Sequence, residues 1–115
     1  MLFLEHLLEV RQWADKVDGL VYVSITRDAH INKGPGRPLM PQAERRTLVG
    51  ALKCVDYAFI AYGRTAVSSI NEYKPKWYCK GADRKFQPNV GPDLMAEIAA
   101  VRSHGGDILY TMSPL

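Results

Sequence analysis

Four short runs of apolar and β-branched residues alternate with stretches of helical periodicity, and that alternation limits the chain more than any other feature. The runs are residues 20–26 (Leu-Val-Tyr-Val-Ser-Ile-Thr), 56–62 (Asp-Tyr-Ala-Phe-Ile-Ala-Tyr), 77–79 (Trp-Tyr-Cys) and 108–111 (Ile-Leu-Tyr-Thr). Strands of this kind are apolar on both faces, so both faces must be covered. The intervening segments supply the cover. Helices are expected at 2–16, about 42–54, about 65–73 and about 93–104. Their inward residues are Leu4, Leu7, Leu8, Val10, Trp13, Ala14 and Val17, then Leu48, Leu52 and Val55, then Val67, Ile70 and Tyr73, then Leu94, Met95, Ile98 and Val101. Asp18-Gly19, Gly63, Pro75 and Gly105-Gly106 punctuate the pattern, and Pro41 and Pro92 open helices. The expected fold is α/β: a parallel sheet with helices on both faces.

At 115 residues the chain makes one domain, 1–115, and a hydrophobic content of 47% provides one core. No run approaches the roughly 20 apolar residues that span a bilayer. Met1-Leu2-Phe3-Leu4 is followed at once by Glu5, His6 and Glu9, with no basic n-region, so it does not read as a signal peptide. The expected location is the cytoplasm, with no membrane partner. Cys54 and Cys79 stand far apart without CxxC spacing, which points to two core thiols and no metal site.

Net charge is only +3, but the cations are unevenly placed. Five of the fifteen lie in 27–46 (Arg27, Lys33, Arg37, Arg45, Arg46) and five in 74–86 (Lys74, Lys76, Lys80, Arg84, Lys85). The first group surrounds Asn32-Lys33-Gly34-Pro35-Gly36-Arg37-Pro38. Two glycines and two prolines there exclude helix and central strand and leave a stiff loop. Glycines admit a ligand close to the backbone, and Lys and Arg suit phosphate. In parallel sheets ligands sit beyond the carboxyl ends of the strands. Both basic loops fall there, 27–38 after the first run and 80–86 after the third. The charges form two phosphate-sized groups without a continuous stripe, so no nucleic-acid partner is expected.

Val23-Ser24-Ile25-Thr26-Arg27-Asp28, the Lys33 to Pro38 loop, Arg45, Cys54-Val55-Asp56-Tyr57, Lys74-Pro75, Tyr78-Cys79-Lys80-Gly81-Ala82-Asp83 and Gly105-Gly106-Asp107-Ile108 together resemble the cytidylyltransferase-like nucleotidyltransferases. The branch they look most like is the adenylyltransferase domain of ADP-heptose synthase and its sugar-phosphate relatives. The resemblance implies a Rossmann-like sheet and a reaction in which a substrate phosphate attacks the α-phosphorus of ATP or CTP in line. Pyrophosphate leaves, and Mg²⁺ usually assists. It implies phosphate contacts from Lys33, Gly34, Gly36, Arg37 and Arg45, and a nucleotide-binding side at Lys80, Gly81 and Asp83. Trp13, Trp77 and the tyrosines read mostly as packing, although Tyr22 or Trp77 could flank a base.

The family carries a His-x-Gly-His motif ahead of its first helix. Counted back from Asp18, the motif falls on Phe3-Leu4-Glu5-His6, which places the second histidine at His6 and the first at Phe3. Glu5 replaces the glycine, and a carboxylate there repels triphosphate. A second reading follows: a non-catalytic nucleotide- or anion-binding relative. The family's first strand, the middle one in the order 3-2-1-4-5, has no counterpart here, and its serine-rich segment after the last strand is reduced to Ser113. The domain therefore reads as incomplete at both ends. Without the central strand its two neighbours leave peptide groups unpaired. Three repairs are expected: the halves close up, residues 1–4 unwind to serve, or a partner, including a second copy, donates a strand. Asp56 is expected to orient a strand start.

Overall fold

The computed structural model describes residues 2–27, 40–81 and 91–112. The elements run α1 (Leu2–Lys16), β1 (Tyr22–Thr26), α2 (Gln42–Gly50), β2 (Tyr57–Ala61), α3 (Val67–Tyr73), β3 (Trp77–Lys80), α4 (Pro92–Ser103) and β4 (Asp107–Tyr110). Each falls within a few residues of its expected place. The α/β alternation is as expected, and the strands that pair do so in parallel.

The sheet itself is split. β1 pairs with β2, Tyr22 opposite Tyr57 through Thr26 opposite Ala61. β3 pairs with β4, Trp77 opposite Asp107 through Lys80 opposite Tyr110. Among the described residues no ladder joins the two pairs. Two of the three repairs are thereby ruled out. The halves have not closed up, and α1 is helical from Leu2, so residues 2–4 have not unwound.

Helices cover both faces. On one, Leu7 of α1 meets Cys54, Val55 and Ala58, with Leu4, Val23, Val49 and Leu52 packed around them. On the other, Tyr73 of α3 lies against Tyr22, Tyr57 and Phe59, with its ring centroid 4.5 Å from that of Phe59. Alternation along the strands makes this division: Val23 and Ala58 are cross-strand neighbours on the α1 side, Ser24 and Phe59 on the α3 side. α4 buries Leu94, Glu97 and Val101, a stripe at helical spacing.

Four expected inward residues are not inward: Leu8 is 48% exposed, Val17 69%, Leu48 56% and Met95 61%. α2 rests on a sheet only two strands wide, which Val49 and Leu52 suffice to cover. Met95 follows Leu94 directly and is turned about 100° off the buried stripe. Cys54 and Cys79 are both free thiols, Cys54 buried and Cys79 partly so.

Gly106 is needed where β4 starts. A Cβ there would lie 2.6 Å from the carbonyl oxygens of Pro75 and Lys76. Gly105 before it has φ +84°, the left-handed conformation that closes α4. No helix among the described residues is long and apolar enough to cross a membrane.

Candidate functional site

The carboxyl edge of the sheet gathers three elements at one point. His6 sits in the second turn of α1 and is buried. Its Nδ1 lies 2.8 Å from Oγ1 of Thr111, the residue after β4. Thr111 in turn donates its backbone N–H to the carbonyl of Lys80 at 2.8 Å, extending the β3–β4 ladder by one rung. The Thr111 hydroxyl also lies 3.4 Å from that carbonyl. Helix start, β3 end and β4 end are tied together through one hydroxyl.

Charge at this point is mixed. Burial holds the His6 imidazole below the usual histidine range; Glu9 opposes that shift and the Lys80 ammonium adds to it. Lys80 also stands 5.1 Å from the centre of the Tyr78 ring. Glu9 accepts the Met112 N–H at 2.6 Å, a second tie between α1 and the segment after β4. A neutral imidazole has one donor and one acceptor. The Thr111 hydroxyl has a single proton: given to Nδ1 it leaves Nε2–H as a donor for an anion, and given to the Lys80 carbonyl it leaves Nδ1–H donating to Oγ1 and Nε2 as an acceptor.

The other expected site residues divide into two groups. Gly81 is buried directly after Lys80, where the second basic loop departs. Arg45 lies in the first turn of α2, and its Nε donates to the Met40 carbonyl at 3.1 Å, so it ties the end of the first basic loop to the helix. Arg27, where that loop begins, lies over the Tyr62 ring at 5.9 Å. Lys33, Gly34, Gly36, Arg37 and Asp83 fall outside the described residues. Among the expected residues the structure brings His6 and Lys80 together.

Tyr22 and Trp77 do not stand there. They are the first residues of β1 and β3, at the opposite end of the strands from Lys80. Asp56 orients a strand start, as expected: it accepts the Val21 N–H and an Arg11 N–H, both at 2.7 Å. These bonds hold its carboxyl below the usual carboxylate range. Burial pushes the Cys79 thiol up to about 11, too high for a nucleophile at neutral pH.

Two residues were missed from sequence. Thr111 reads as the end of a strand, and only its place one residue past the last rung marks it. Glu97 reads as a helix residue; it is buried, and accepts the Ala66 N–H at 2.8 Å and the Tyr78 hydroxyl at 3.0 Å. Among the described residues no three His, Cys, Asp or Glu side chains are grouped to hold a metal ion.

This architecture is that of a known Rossmann-like class. The chain superposes on the solved structure of a lipopolysaccharide core biosynthesis protein from Thermoplasma volcanium with a TM-score of 0.64, at 20% identity, over 94% of this chain and 85% of that one. Its sequence relatives are more specific. It is 33% identical over 99 residues to the bifunctional protein HldE of Syntrophotalea carbinolica, and 34% identical over 99 residues to that of Trichlorobacter lovleyi. In both, the match covers 84% of this chain and 19% of the relative. The HldE protein of Azorhizobium caulinodans is 32% identical over 106 residues, 90% of this chain and 21% of that protein. No family model matches. The chain is a homologue of one segment of the HldE proteins, about a fifth of their length, in line with the resemblance of its motifs.

Proposed function

We propose that this chain is a nucleotidyl-transfer domain. It passes a nucleoside monophosphate from ATP or CTP to a sugar phosphate or a related phosphate and releases pyrophosphate, in the cytoplasm, where those substrates are. The observation that carries the reading is the pairing of His6 with Lys80 at the carboxyl edge of a parallel sheet, in a homologue of HldE. That edge is where α/β sheets bind ligands.

In the reaction a phosphate oxygen of the acceptor attacks the α-phosphorus of the triphosphate. A new P–O bond forms, the bond from the α-phosphorus to the bridging oxygen breaks, and pyrophosphate takes the electron pair. His6 Nε2–H donates to the leaving phosphates. Lys33 and Arg37 neutralise charge on the triphosphate and the acceptor, and Gly34 and Gly36 let the backbone approach. Arg45 holds the loop's return into α2 and faces the same anion. Lys80 lies on the nucleotide side with Gly81 and Asp83. Mg²⁺ would be held chiefly by the phosphates of the triphosphate and by few carboxylates. Its role is to neutralise charge there.

Pyrophosphate release measured with ATP and CTP, each against a panel of sugar phosphates, tests the reading. Release with one pair is expected, and release that falls by at least about 100-fold in Lys33→Ala. Silence with every pair sinks it. The exposed Glu5, one residue before His6, favours a second reading as a non-catalytic nucleotide-binding relative. Calorimetry that shows nucleotide binding without pyrophosphate release would select that one.

A further inference from the structure

β3 ends in Tyr78, Cys79 and Lys80, and alternation along the strand puts Tyr78 and Lys80 on one face. On that face the Lys80 ammonium lies 5.1 Å from the centre of the Tyr78 ring. That is within the roughly 6 Å over which an aromatic face attracts a cation. The ring is anchored at its other end. The Tyr78 hydroxyl donates to Glu97 Oε1 at 3.0 Å, and Oε2 of the same carboxylate accepts the Ala66 N–H at 2.8 Å. Glu97 is buried in α4 on the same stripe as Leu94 and Val101, so helix packing sets where that carboxylate stands. The phenol is therefore held by the strand at its Cα and by α4 at its oxygen.

This arrangement suits what a phosphate-binding lysine needs. A lysine has a long flexible stem and loses rotamer freedom when its ammonium is placed. A ring fixed against the ammonium takes part of that loss before a ligand arrives. The kind of partner matters as well. A carboxylate in direct contact would compete with an incoming phosphate for the ammonium N–H groups. A ring face attracts the charge through its quadrupole and takes up none of those donors. The Glu97 carboxylate acts one step back. Donation of the phenol O–H to an anion enriches the ring in electron density, which strengthens its hold on a cation. The same ammonium acts on the His6 imidazole, so its placement reaches the point where α1, β3 and β4 are tied together.

We propose that Tyr78 is a positioning residue: its ring holds the Lys80 ammonium in place for a nucleoside triphosphate, and Glu97 acts through the Tyr78 hydroxyl. The proposal rests on the reading of Lys80 as part of the nucleotide side. It extends that reading into the interior of the β3–β4 half, where β3, α3 and α4 meet at one carboxylate. Neither Tyr78 nor Glu97 is asked to touch the nucleotide.

The test uses the full chain with four changes. Tyr78→Phe keeps the ring and loses the hydroxyl, and Tyr78→Leu loses both. Lys80→Met removes the cation, and the fourth chain combines Tyr78→Leu with Lys80→Met. Binding of ATP and of CTP is measured by calorimetry, which does not require turnover. Tyr78→Leu is expected to weaken binding of the nucleotide that the unmodified chain takes by about tenfold, and Tyr78→Phe by about threefold. The double-mutant cycle decides between positioning and mere packing. A ring that acts through the ammonium has no further effect in the Lys80→Met background. The same loss in both backgrounds overturns the proposal, as does unchanged nucleotide binding in Lys80→Met. Tyr78→Phe that binds as tightly as the unmodified chain overturns the part given to Glu97.

A second readout needs no nucleotide. Glu9 of α1 and Lys80 of β3 are the charged groups that act on His6, so its titration followed by NMR reports where the ammonium stands. Tyr78→Leu should raise the pH at which His6 titrates by about 0.3, as Lys80→Met does, and the combination should raise it no further. A His6 titration that Lys80→Met moves and Tyr78→Leu does not overturns the placement of Lys80 by Tyr78. Tyr78→Phe preserves the packing of the ring and carries the binding test if Tyr78→Leu does not fold. The two failures are distinct. Nucleotide binding and pyrophosphate release with an additive cycle overturn this proposal alone. Absence of any nucleotide binding overturns the proposed reaction and the nucleotide role of Lys80 together, while the His6 titration still decides whether Tyr78 places the ammonium.

Discussion

The two half-sheets solve the same problem in opposite ways. In each, a carboxylate clamps a strand to a neighbouring element. In the β1–β2 half it is Asp56, at the rim with a side chain 35% exposed, gripping Val21 and Arg11. In the β3–β4 half it is Glu97, 7% exposed, gripping the N-terminus of α3 and the Tyr78 hydroxyl. The rim clamp can be replaced by water. The buried one is harder to replace, because Glu97 itself is almost fully enclosed and each of its two bonds is partly buried. The first half is thus held mainly by apolar packing of Leu7, Val55 and Ala58, and the second depends on a polar bond inside its core.

The largest effect should therefore come from Glu97→Ala. It leaves the Ala66 N–H and the Tyr78 hydroxyl without their acceptor, and a loss of about 3 kcal/mol is expected in urea unfolding. Glu97→Gln keeps an acceptor oxygen and should cost about 1 kcal/mol. Next comes Gly106→Ala, which presses a methyl against two carbonyl oxygens at the start of β3. Strand separation there should cost about 2 kcal/mol and speed exchange of the Asp107 amide, bonded to Lys76 at 3.0 Å. Asp56→Ala should cost about 1 kcal/mol, since Arg11 retains Asp15 and the Gly19 carbonyl. A cost for Asp56→Ala equal to that of Glu97→Ala would end the comparison.

Much of this was legible in the sequence, for physical reasons that can be named. Apolar runs of three to seven residues between helical stretches admit few folds, and the order of elements followed from them. The split in the sheet was legible as a strand without a counterpart. Burial of individual helix residues was less so: Leu48 and Met95 have the right spacing, but spacing does not say how wide a sheet lies beneath. The partnership of His6 with Thr111 was not legible, because 105 residues separate them and no local pattern marks a threonine that continues a ladder. Glu97 was illegible for a related reason, since a glutamate on a helix ordinarily faces water. The site was read from Lys33, Arg37 and Asp83 more than from His6, and the structure brings His6 together with Lys80.

The smallest effect concerns the seam between the halves, where neighbouring residues of α1 serve different sides. Leu7 packs into the core of the first half, and His6 bonds to the end of the second. Burial disfavours the charged imidazole, so its folded pKa is depressed. The sign follows directly. Above about 6.5, the ordinary histidine value, both folded and unfolded chains carry neutral His6 and its contribution is complete. As pH falls below that value the unfolded chain takes up the proton first, and stability drops until the folded chain takes it up as well. Glu9 reduces the shift and Lys80 increases it, so both face the titrating group. Urea midpoints should fall between pH 7.5 and pH 5.5, above the range of Asp56, Asp93 and Asp107, whose carboxyls are all held below their usual values. His6→Gln keeps a hydrogen-bonding partner for Thr111 and cannot titrate, so its midpoint should fall less over the same interval. An equal fall in both proteins would place the titrating group elsewhere and remove His6 from the seam. A Lys80→Met change should then reduce the slope of the unmodified His6 chain, because the imidazole would no longer charge beside a cation.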